Sequence, residues 1–451
     1  MAGANRRLIG WGVAAVLVAG IYALPTRSTD EMAARKYPNR IPVRFWHMWS
    51  AEWKAVVDKI VDRYNKSQDK YEVIALSVPG SAADTKFLLG SIGGSPPDVM
   101  AQWNPVIPTW AQEGVITPFD DLMSPQEKAT FDHDAYPVVK AVGAYKGKIY
   151  GIAIGINLME IYYLPQQFRD AGLDPDQFPT TLEGLVADGQ KLDRRDANGH
   201  LTHLGFLPGS YQQMTPYFGG GFYDPSRDKL TLDTQQNLEA LSFLAAERKR
   251  LGFDEVTRFQ AGLNTQSAAG GWPFITGAYS AVVDGQWRVE QLAKYAPKLV
   301  YRTAPIPAPV GGVAGSGYGN GNFMVIPRSA KEKAGAWDFV KFWSGITHPE
   351  RAAEFYTMGG WLPLSDKVAN APIYQAYIKK YPQFKTFVDA VRSPKIQVAP
   401  PVPYQVFVND QVQKAEDFAL RGTLTPQAAL AGLQSAVDEE VKRRKEMGLD
   451  E

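Results

Sequence analysis

Short apolar stretches alternate with amphipathic segments along most of the chain after residue 40. Residues 43–46 (VRFW) alternate apolar and polar positions, which is typical of a half-buried strand. The segment that follows repeats apolar residues at helical spacing, so that they share one face: Val56, Val57, Ile60, Val61 and Tyr64. Further strands are predicted within 71–76, 96–103 and 147–157, separated by predicted helices. This alternation indicates α/β architecture.

The second half of the chain contains clear signals for helix ends and for a loop. Thr425 followed by Pro426 predicts the N-cap and first turn of a long final helix that reaches Met447, with Gly448 suited to the position after its end. A glycine-rich stretch at 311–327 leads into another predicted strand. It has neither the spacing nor the following helix of a phosphate-binding loop, so we interpret it as a loop of close backbone approach.

Composition limits the classes of function. With 451 residues the chain is long enough for two domains, and 45% hydrophobic with 21% charged residues is typical of a globular protein. With a net charge of +1, the chain lacks the excess of basic residues that is expected of a protein that binds nucleic acid or makes a polybasic membrane contact. Cysteine is absent from the sequence, which excludes thiol catalysis and disulfides.

Catalytic and metal motifs are weak. The sequence has five histidines, and the pair in HLTH (200–203) lacks a third ligand nearby, so we predict no metal site and no cofactor. A Gly-x-Ser-x-Gly elbow does not occur. A pair of carboxylates acting on a glycosidic bond stays open at this stage, because sequence distance does not reveal spatial distance.

The N-terminus predicts export. Arg6 and Arg7 precede an uncharged run over residues 8–24, which is followed by Pro25 and a polar stretch. We interpret residues 1–25 as a signal peptide or as an N-terminal membrane anchor, two alternatives that the pattern leaves open.

Tryptophan is the most informative residue type in this chain. Three tryptophans fall in residues 43–53 (VRFWHMWSAEW), where a predicted strand turns into a helix, and others stand beside glycine or proline. Strand ends of α/β sheets are where ligands bind, and a flat aromatic face suits the C–H face of a sugar ring. Trp343, within the periodic AWDFVKFW, is predicted to be core.

Several stretches, in this order, resemble the family 1 extracellular solute-binding proteins that deliver ligands to ABC importers. The resemblance extends over nearly all residues from 40 onward. It rests on the opening 43–67 and on five further stretches: LLGSIGGSPPDVMAQWN, GKIYGIAIGINLMEIYYLPQQFRDAGL, FPTTLEGLVADGQKL, FITGAYSAVVDGQW and GGWLPLSD.

The resemblance implies a two-lobed periplasmic-binding-protein fold, type II-like, with discontinuous lobes joined by a hinge. We expect residues 40–150 plus 286–345 to form the first lobe, and residues 151–285 plus 346–451 the second. The crossings would then fall near 150, 285 and 345.

The resemblance also nominates ligand-binding residues, carried over position by position. They are His47, Trp49, Glu52, Asp84, Trp103, Asn104, Asn157, Asp284, Trp287, Tyr318, Asn320, Trp361 and Tyr404.

The expected function is that of a non-enzymatic, exported binding protein, periplasmic and monomeric. It would pass a mono- or oligosaccharide, a polyol or a glycerophosphodiester to ABC permease subunits. Two alternatives stay open. One is an exported carbohydrate-active enzyme, with Glu52 or Asp284 as its carboxylates, and the other is a membrane-tethered scaffold or receptor with a vestigial cleft.

Overall fold

The computed structural model describes residues 35–78, 82–103, 106–263 and 271–449. The predicted signal peptide or anchor at residues 1–25 lies outside the described residues, so this interpretation stays a prediction. Within the described residues, every helix is too short or too polar to cross a membrane.

The strands are short and are spread over most of the chain. They are β1 (Ile41–His47), β2 (Tyr71–Ser77), β3 (Val99–Gln102), β4 (Ala144–Tyr145), β5 (Lys148–Ile149), β6 (Ile152–Asn157), β7 (Met159–Tyr163), β8 (Arg194–Arg195), β9 (Leu201–Leu207), β10 (Tyr223–Asp224), β11 (Lys229–Leu230), β12 (Tyr279–Gly285), β13 (Arg302–Ala304), β14 (Gly317–Tyr318), β15 (Asn320–Val325) and β16 (Ile396–Gln397).

The helices fill the connections between strands and most of the C-terminal third. They are α1 (Ala51–Ser67), α2 (Ala82–Ile92), α3 (Ile107–Gln112), α4 (Pro125–Asp134), α5 (Pro137–Gly143), α6 (Pro165–Asp170), α7 (Leu182–Leu192), α8 (Tyr211–Met214), α9 (Gln235–Leu251), α10 (Phe253–Leu263), α11 (Trp287–Tyr295), α12 (Lys333–Ser344), α13 (Pro349–Gly359), α14 (Asp366–Ala369), α15 (Pro372–Lys380), α16 (Phe384–Val391), α17 (Gln405–Arg421) and α18 (Pro426–Glu446).

Two five-stranded mixed sheets organise the molecule. The first has the order β2-β1-β3-β15-β6, and the second has the order β13-β7-β12-β9-β8. In the first sheet β1 runs parallel to β2 and β3, while β15 runs antiparallel to β3 and β6. In the second sheet β12 runs parallel to β9 and antiparallel to β7. The α/β prediction is therefore confirmed, with one sheet in each half of the molecule.

Local chemistry explains the first and last helices. In α1 the buried side chains include Val57, Ile60, Val61 and Tyr64, members of the apolar face that the sequence predicts. At the other end of the chain, Thr425 caps α18 by accepting a hydrogen bond from the backbone of Ala428. Gly448 follows this helix with a φ of +67°, a left-handed conformation that favours glycine.

The strand pairing divides the chain differently from the lobe boundaries that the sequence predicts. β6 belongs to the first sheet and β7 to the second, so the first crossing lies between Asn157 and Met159 rather than near residue 150. β13 pairs with β7, which keeps residues 302–304 with the second sheet beyond the expected crossing at 285. The chain returns to the first sheet between Ala304 and Asn320. The physical reason is that β13 and β15 pair with strands that lie more than 130 residues away in sequence.

Candidate functional site

A cavity of about 920 Å³ lies where elements of the two sheets meet, and we call it the tryptophan cavity. Loops and helix ends from the first half of the molecule line one side of it, and α11 with the loop before β12 lines the other. Six of the chain's 11 tryptophans line it: Trp49, Trp53, Trp103, Trp272, Trp287 and Trp361. Its size is within the range of small-molecule sites in proteins, on the order of 300–1,000 Å³.

Stacked aromatic rings hold one wall of the tryptophan cavity rigid. The ring of Trp49 stacks on that of Trp343 with centroids 5.7 Å apart, and Trp361 contacts both rings at 5.6 and 5.7 Å. Trp343 is fully buried, as predicted, and forms the backing of this wall. Trp361 lies directly against Gly359, where an added Cβ would come within 2.6 Å of the ring. A rigid aromatic wall loses little side-chain entropy when a ligand binds.

The opposite wall carries two further tryptophans and a cation, Arg288. Trp287 lies over the backbone of Gly285, where a Cβ would approach the ring to 2.1 Å. The guanidinium of Arg288 stands 4.4 Å from the ring centroid of Trp272. Its Nε donates to Asp284 at 2.9 Å, and its Nη1 donates to Gln291 at 2.8 Å. The arginine is therefore oriented by its neighbours before any ligand arrives.

Charge in the tryptophan cavity is balanced. Glu52 and Arg288 are the charged side chains among the described residues that line it. Asp284 stands behind Arg288 rather than in the lining, and burial raises the pKa of its carboxyl while Arg288 acts against this rise. The site therefore holds directional polar groups and aromatic faces without an excess of positive charge.

Three side-chain amides lie at the crossing between the two sheets. Gln286 donates to Oδ1 of Asn157 at 2.9 Å and accepts from the backbone N–H of Leu158 at 3.1 Å. Asn157 in turn donates to Oδ1 of Asn320 at 2.9 Å. Gln286 and Asn157 also line the tryptophan cavity. This amide relay joins three chain segments at the floor of the site.

Two smaller cavities continue along the boundary between the two sheets. A middle cavity of about 210 Å³ shares Trp103 with the tryptophan cavity and is also lined by Gln212, Tyr318 and Asn320. A third cavity, of about 790 Å³, has Tyr404 in its lining.

The structure thus places the nominated residues in several environments. The tryptophan cavity brings together Trp49, Glu52, Trp103, Asn157, Trp287 and Trp361. Tyr318 and Asn320 face the middle cavity, and Tyr404 the third, while Asp284 acts through Arg288. Trp103 is the most open of these tryptophans, with 52% of its surface exposed.

Two of the nominated residues that the structure describes, His47 and Asp84, are not part of the observed site. His47 is fully buried between the rings of Phe45 and Trp49, and neither of its ring nitrogens has a hydrogen-bond partner among the described residues. It shares the buried face of β1 with Val43 and Phe45, which explains why it does not reach the cavity. Asp84, on α2, accepts a hydrogen bond from Gln102 at 2.6 Å and lines none of the three cavities. Asn104 lies outside the described residues.

The nominated set leaves out seven polar or aromatic residues that line the tryptophan cavity: Trp53, Trp272, Gln286, Arg288, Gln291, Tyr295 and Asn322. Trp272 had a usable signal, because it stands in GGWPF, a context similar to the GGWLP around Trp361. Arg288 and Gln291 lie on one face of α11 just after Trp287, so helical spacing alone would have nominated them.

Two α/β halves around an aromatic cavity define the class of two-lobed ligand-binding proteins. Solved structures of this class share the fold. A protein named CpMnBP1, solved with mannotriose bound, superposes with a TM-score of 0.75 and 25% identity, and covers 88% of this chain and 99% of its own. The sugar-binding protein MalE from Xanthomonas citri superposes with a TM-score of 0.74 at 20% identity, and covers 91% of this chain and 100% of its own.

Sequence comparison identifies the family. The model for bacterial extracellular solute-binding proteins matches residues 59–386, so the chain belongs to that family. The sn-glycerol-3-phosphate-binding periplasmic protein of Yersinia pseudotuberculosis is 23% identical over 430 residues, which is 90% of this chain and 92% of the relative. The corresponding Escherichia coli K12 protein is 21% identical over 424 residues, with 86% and 90% covered. The predicted family and fold are both confirmed.

Proposed function

We propose that this protein is the extracytoplasmic substrate-binding component of an ABC importer and that the tryptophan cavity binds the neutral rings of a carbohydrate. The observation that carries the proposal is the lining itself: six tryptophans with Glu52, Arg288, Asn157 and Gln291 among them. Aromatic faces pack against the C–H faces of sugar rings, and the carboxylate, guanidinium and amides are hydrogen-bond partners for hydroxyls.

Charge favours a neutral ligand over a phosphate in this cavity. Arg288 is already paired with Asp284 at 2.9 Å, and Glu52 adds a negative charge to the lining. A phosphate group carries up to two negative charges at neutral pH and is bound most strongly by uncompensated cations or clustered backbone N–H groups. The relatives named for glycerol-3-phosphate therefore share this protein's family, but we do not transfer their ligand to the tryptophan cavity.

Closure of the lobes would complete the site. Walls of the tryptophan cavity come from both halves of the molecule, and the amide relay lies at the crossing between them. A ligand that contacts both walls stabilises the closed arrangement by its difference in affinity for the closed and open states. The closed shape would then be recognised by permease subunits in the membrane.

The alternative of a carbohydrate-active enzyme has less support. Glycosidases place two carboxylates around the scissile bond. Among the described lining residues Glu52 is the single carboxylate, while Asp284 is engaged by Arg288 and by the backbone N–H of Gly285. The tethered-scaffold alternative depends on residues 1–25, outside the described residues.

The test is a binding panel of neutral mono- and oligosaccharides, polyols and glycerophosphodiesters, read by intrinsic tryptophan fluorescence and by the melting temperature. A ligand specific for the folded state raises the melting temperature by mass action. Saturable binding of a neutral carbohydrate without turnover supports the proposal. Cleavage of the sugar would favour the enzyme alternative.

A further inference from the structure

The third cavity along the lobe boundary differs in chemistry from the tryptophan cavity. Its volume is about 790 Å³, and we call it the lysine cavity because Lys146, Lys395 and Lys445 line it. Asp228 is the single carboxylate among its described lining residues, so positive charge is in excess. Three tyrosines and several prolines supply the apolar part of the lining.

The three lysines of the lysine cavity are not paired with carboxylates in the described part of the chain. Nζ of Lys146 donates to the amide oxygen of Gln112 at 3.1 Å, and Nζ of Lys395 donates to the backbone carbonyl of Ala314 at 3.0 Å. Both acceptors are neutral. Within the described part of the chain, none of the three lysines has a carboxylate oxygen within 4 Å of its ammonium nitrogen. A cavity lined by one sign of charge concentrates the opposite charge.

Lys146 and Lys445 come from elements that pack on different sheets. Lys146 lies on the hairpin of β4 and β5, and the neighbouring Tyr145 donates to Gln112 at the end of α3. α3 packs against the first sheet through Ile107 and Trp110. Lys445 lies in the last turns of α18, which packs in the core of the second sheet. An anion held between these elements would contact both halves of the molecule.

The lysine cavity adjoins the middle cavity, which in turn adjoins the tryptophan cavity. The middle cavity shares Ala141, Ala144, Val398 and Pro401 with the lysine cavity, and shares Trp103 with the tryptophan cavity. The three cavities therefore lie in a row along the lobe boundary, which we call the trench, with an aromatic, charge-balanced end and a basic end.

We propose that the lysine cavity binds the anionic group, a carboxylate or a phosphate, of an elongated carbohydrate whose neutral rings occupy the tryptophan cavity. This inference rests on the proposed function and extends it from a neutral sugar to an acidic oligosaccharide. The ligand spans the trench, and its charged end is held by Lys146, Lys395 and Lys445.

The experiment compares two length series on the purified protein by calorimetry: neutral oligosaccharides, and oligosaccharides of the same length with a terminal uronic acid or a terminal phosphate. The acidic ligands are expected to bind at least roughly tenfold more tightly than the neutral ones. This preference should disappear between about 0.05 and about 0.5 M salt, because screening weakens exposed charge interactions. The uronate and phosphate arms identify which anion is preferred.

Substitutions distinguish anion binding in the lysine cavity from carbohydrate binding in the tryptophan cavity. Replacing Lys395 and Lys445 together by alanine should remove the acidic preference and leave neutral binding within about twofold of the wild type. Lys298→Ala, an exposed lysine outside the three cavities, is the matched control and should change neither. Equal affinity for acidic and neutral ligands, or an acidic preference that persists in the double variant, would overturn the lysine site. Failure of every acidic ligand to bind would also overturn the lysine site. Neutral binding that is lost in Trp287→Ala would still support the proposed function.

Discussion

The side chain of Gln286 bridges the crossing between the two sheets, with its Nε2 2.9 Å from Oδ1 of Asn157. Gln286 follows the last strand residue of β12, and Asn157 ends β6, so the bond joins one sheet to the other. Gln286 is only 1% exposed. Because the same amide accepts from the backbone of Leu158, its loss would leave polar groups on both sides without a partner.

Gln286→Leu should therefore destabilise the crossing. Leaving buried polar groups unpaired costs ~1–3 kcal/mol, and this is the expected fall in the free energy of unfolding. Urea titration measures it. The matched control is Gln434→Leu, because Gln434 bonds Asp438 on the exposed face of α18. That change should stay within about 0.5 kcal/mol of wild type. Equal stability of the two variants would show that the relay does not stabilise the crossing.

Trp287→Ala should weaken carbohydrate binding while the fold is kept. Trp287 is half-buried and lies on the backbone of Gly285 in the cavity wall. Truncating a contact aromatic typically costs ~1–3 kcal/mol of binding free energy, which is roughly a 5- to 150-fold rise in Kd. Calorimetry measures the change.

Trp110→Phe is the control for Trp287→Ala. Trp110 is buried against Phe87 and lines none of the three cavities, so its replacement should lower the melting temperature without changing Kd. An unchanged Kd in Trp287→Ala would remove this residue from the site.

Because Glu160 is buried, we expect the folded state to lose stability as the pH rises. Its carboxylate accepts from the backbone of Ile306 at 2.9 Å, but burial raises its pKa to about 8. The folded state therefore favours the protonated form. This contribution is complete below the unfolded value of ~4.5 and is lost as the pH rises through about 8.

Glu160→Gln should remove that dependence, since the amide oxygen can still accept from Ile306. Relative to wild type the variant should gain stability as the pH rises from about 4.5 to about 8, by up to several kcal/mol at ~1.4 kcal/mol per pKa unit. Chemical unfolding at a series of pH values measures the difference. A constant difference across this range would contradict the assignment.

For His47 we expect the opposite, a loss of stability as the pH falls. Burial lowers its pKa to about 4, with a smaller opposing effect of Asp58 and a small reinforcing effect of Lys54. The unfolded chain takes up a proton near pH 6.5 and the folded one only near pH 4, so the folded state is progressively destabilised between these values.

His47→Phe keeps an aromatic ring beside Phe45 and Trp49 and removes the two unpartnered nitrogens. We expect the variant to gain stability relative to wild type as the pH falls from about 6.5 to about 4. A variant whose unfolding curve tracks wild type through that range would show that His47 is not the group responsible.

The sequence predicted elements whose pattern is local. The apolar face of α1, the cap at Thr425 and the core position of Trp343 each follow from spacing or from neighbouring residues, and the structure confirms all three. The structure places His47 on the buried face of β1 with Val43 and Phe45, as period-two alternation already indicates, and away from the three cavities. Its nomination came from family resemblance and overrode the pattern.

Strand pairing between distant segments could not be predicted from the sequence. The placement of β13 beside β7, and of β15 between β3 and β6, depends on partners far away in sequence. The lobe boundaries predicted from the sequence differ from the strand pairing for that reason. The row of three cavities depends on the same long-range contacts, because its lining comes from segments that are distant along the chain.

The most direct test of the account is calorimetric titration of the wild type and of Trp287→Ala with neutral oligosaccharides and with glycerol-3-phosphate. We expect a neutral oligosaccharide to bind saturably to the wild type and roughly 5- to 150-fold more weakly to the variant. The proposed function is contradicted if no neutral carbohydrate binds, or if glycerol-3-phosphate binds to both proteins with equal affinity while the sugars bind to neither.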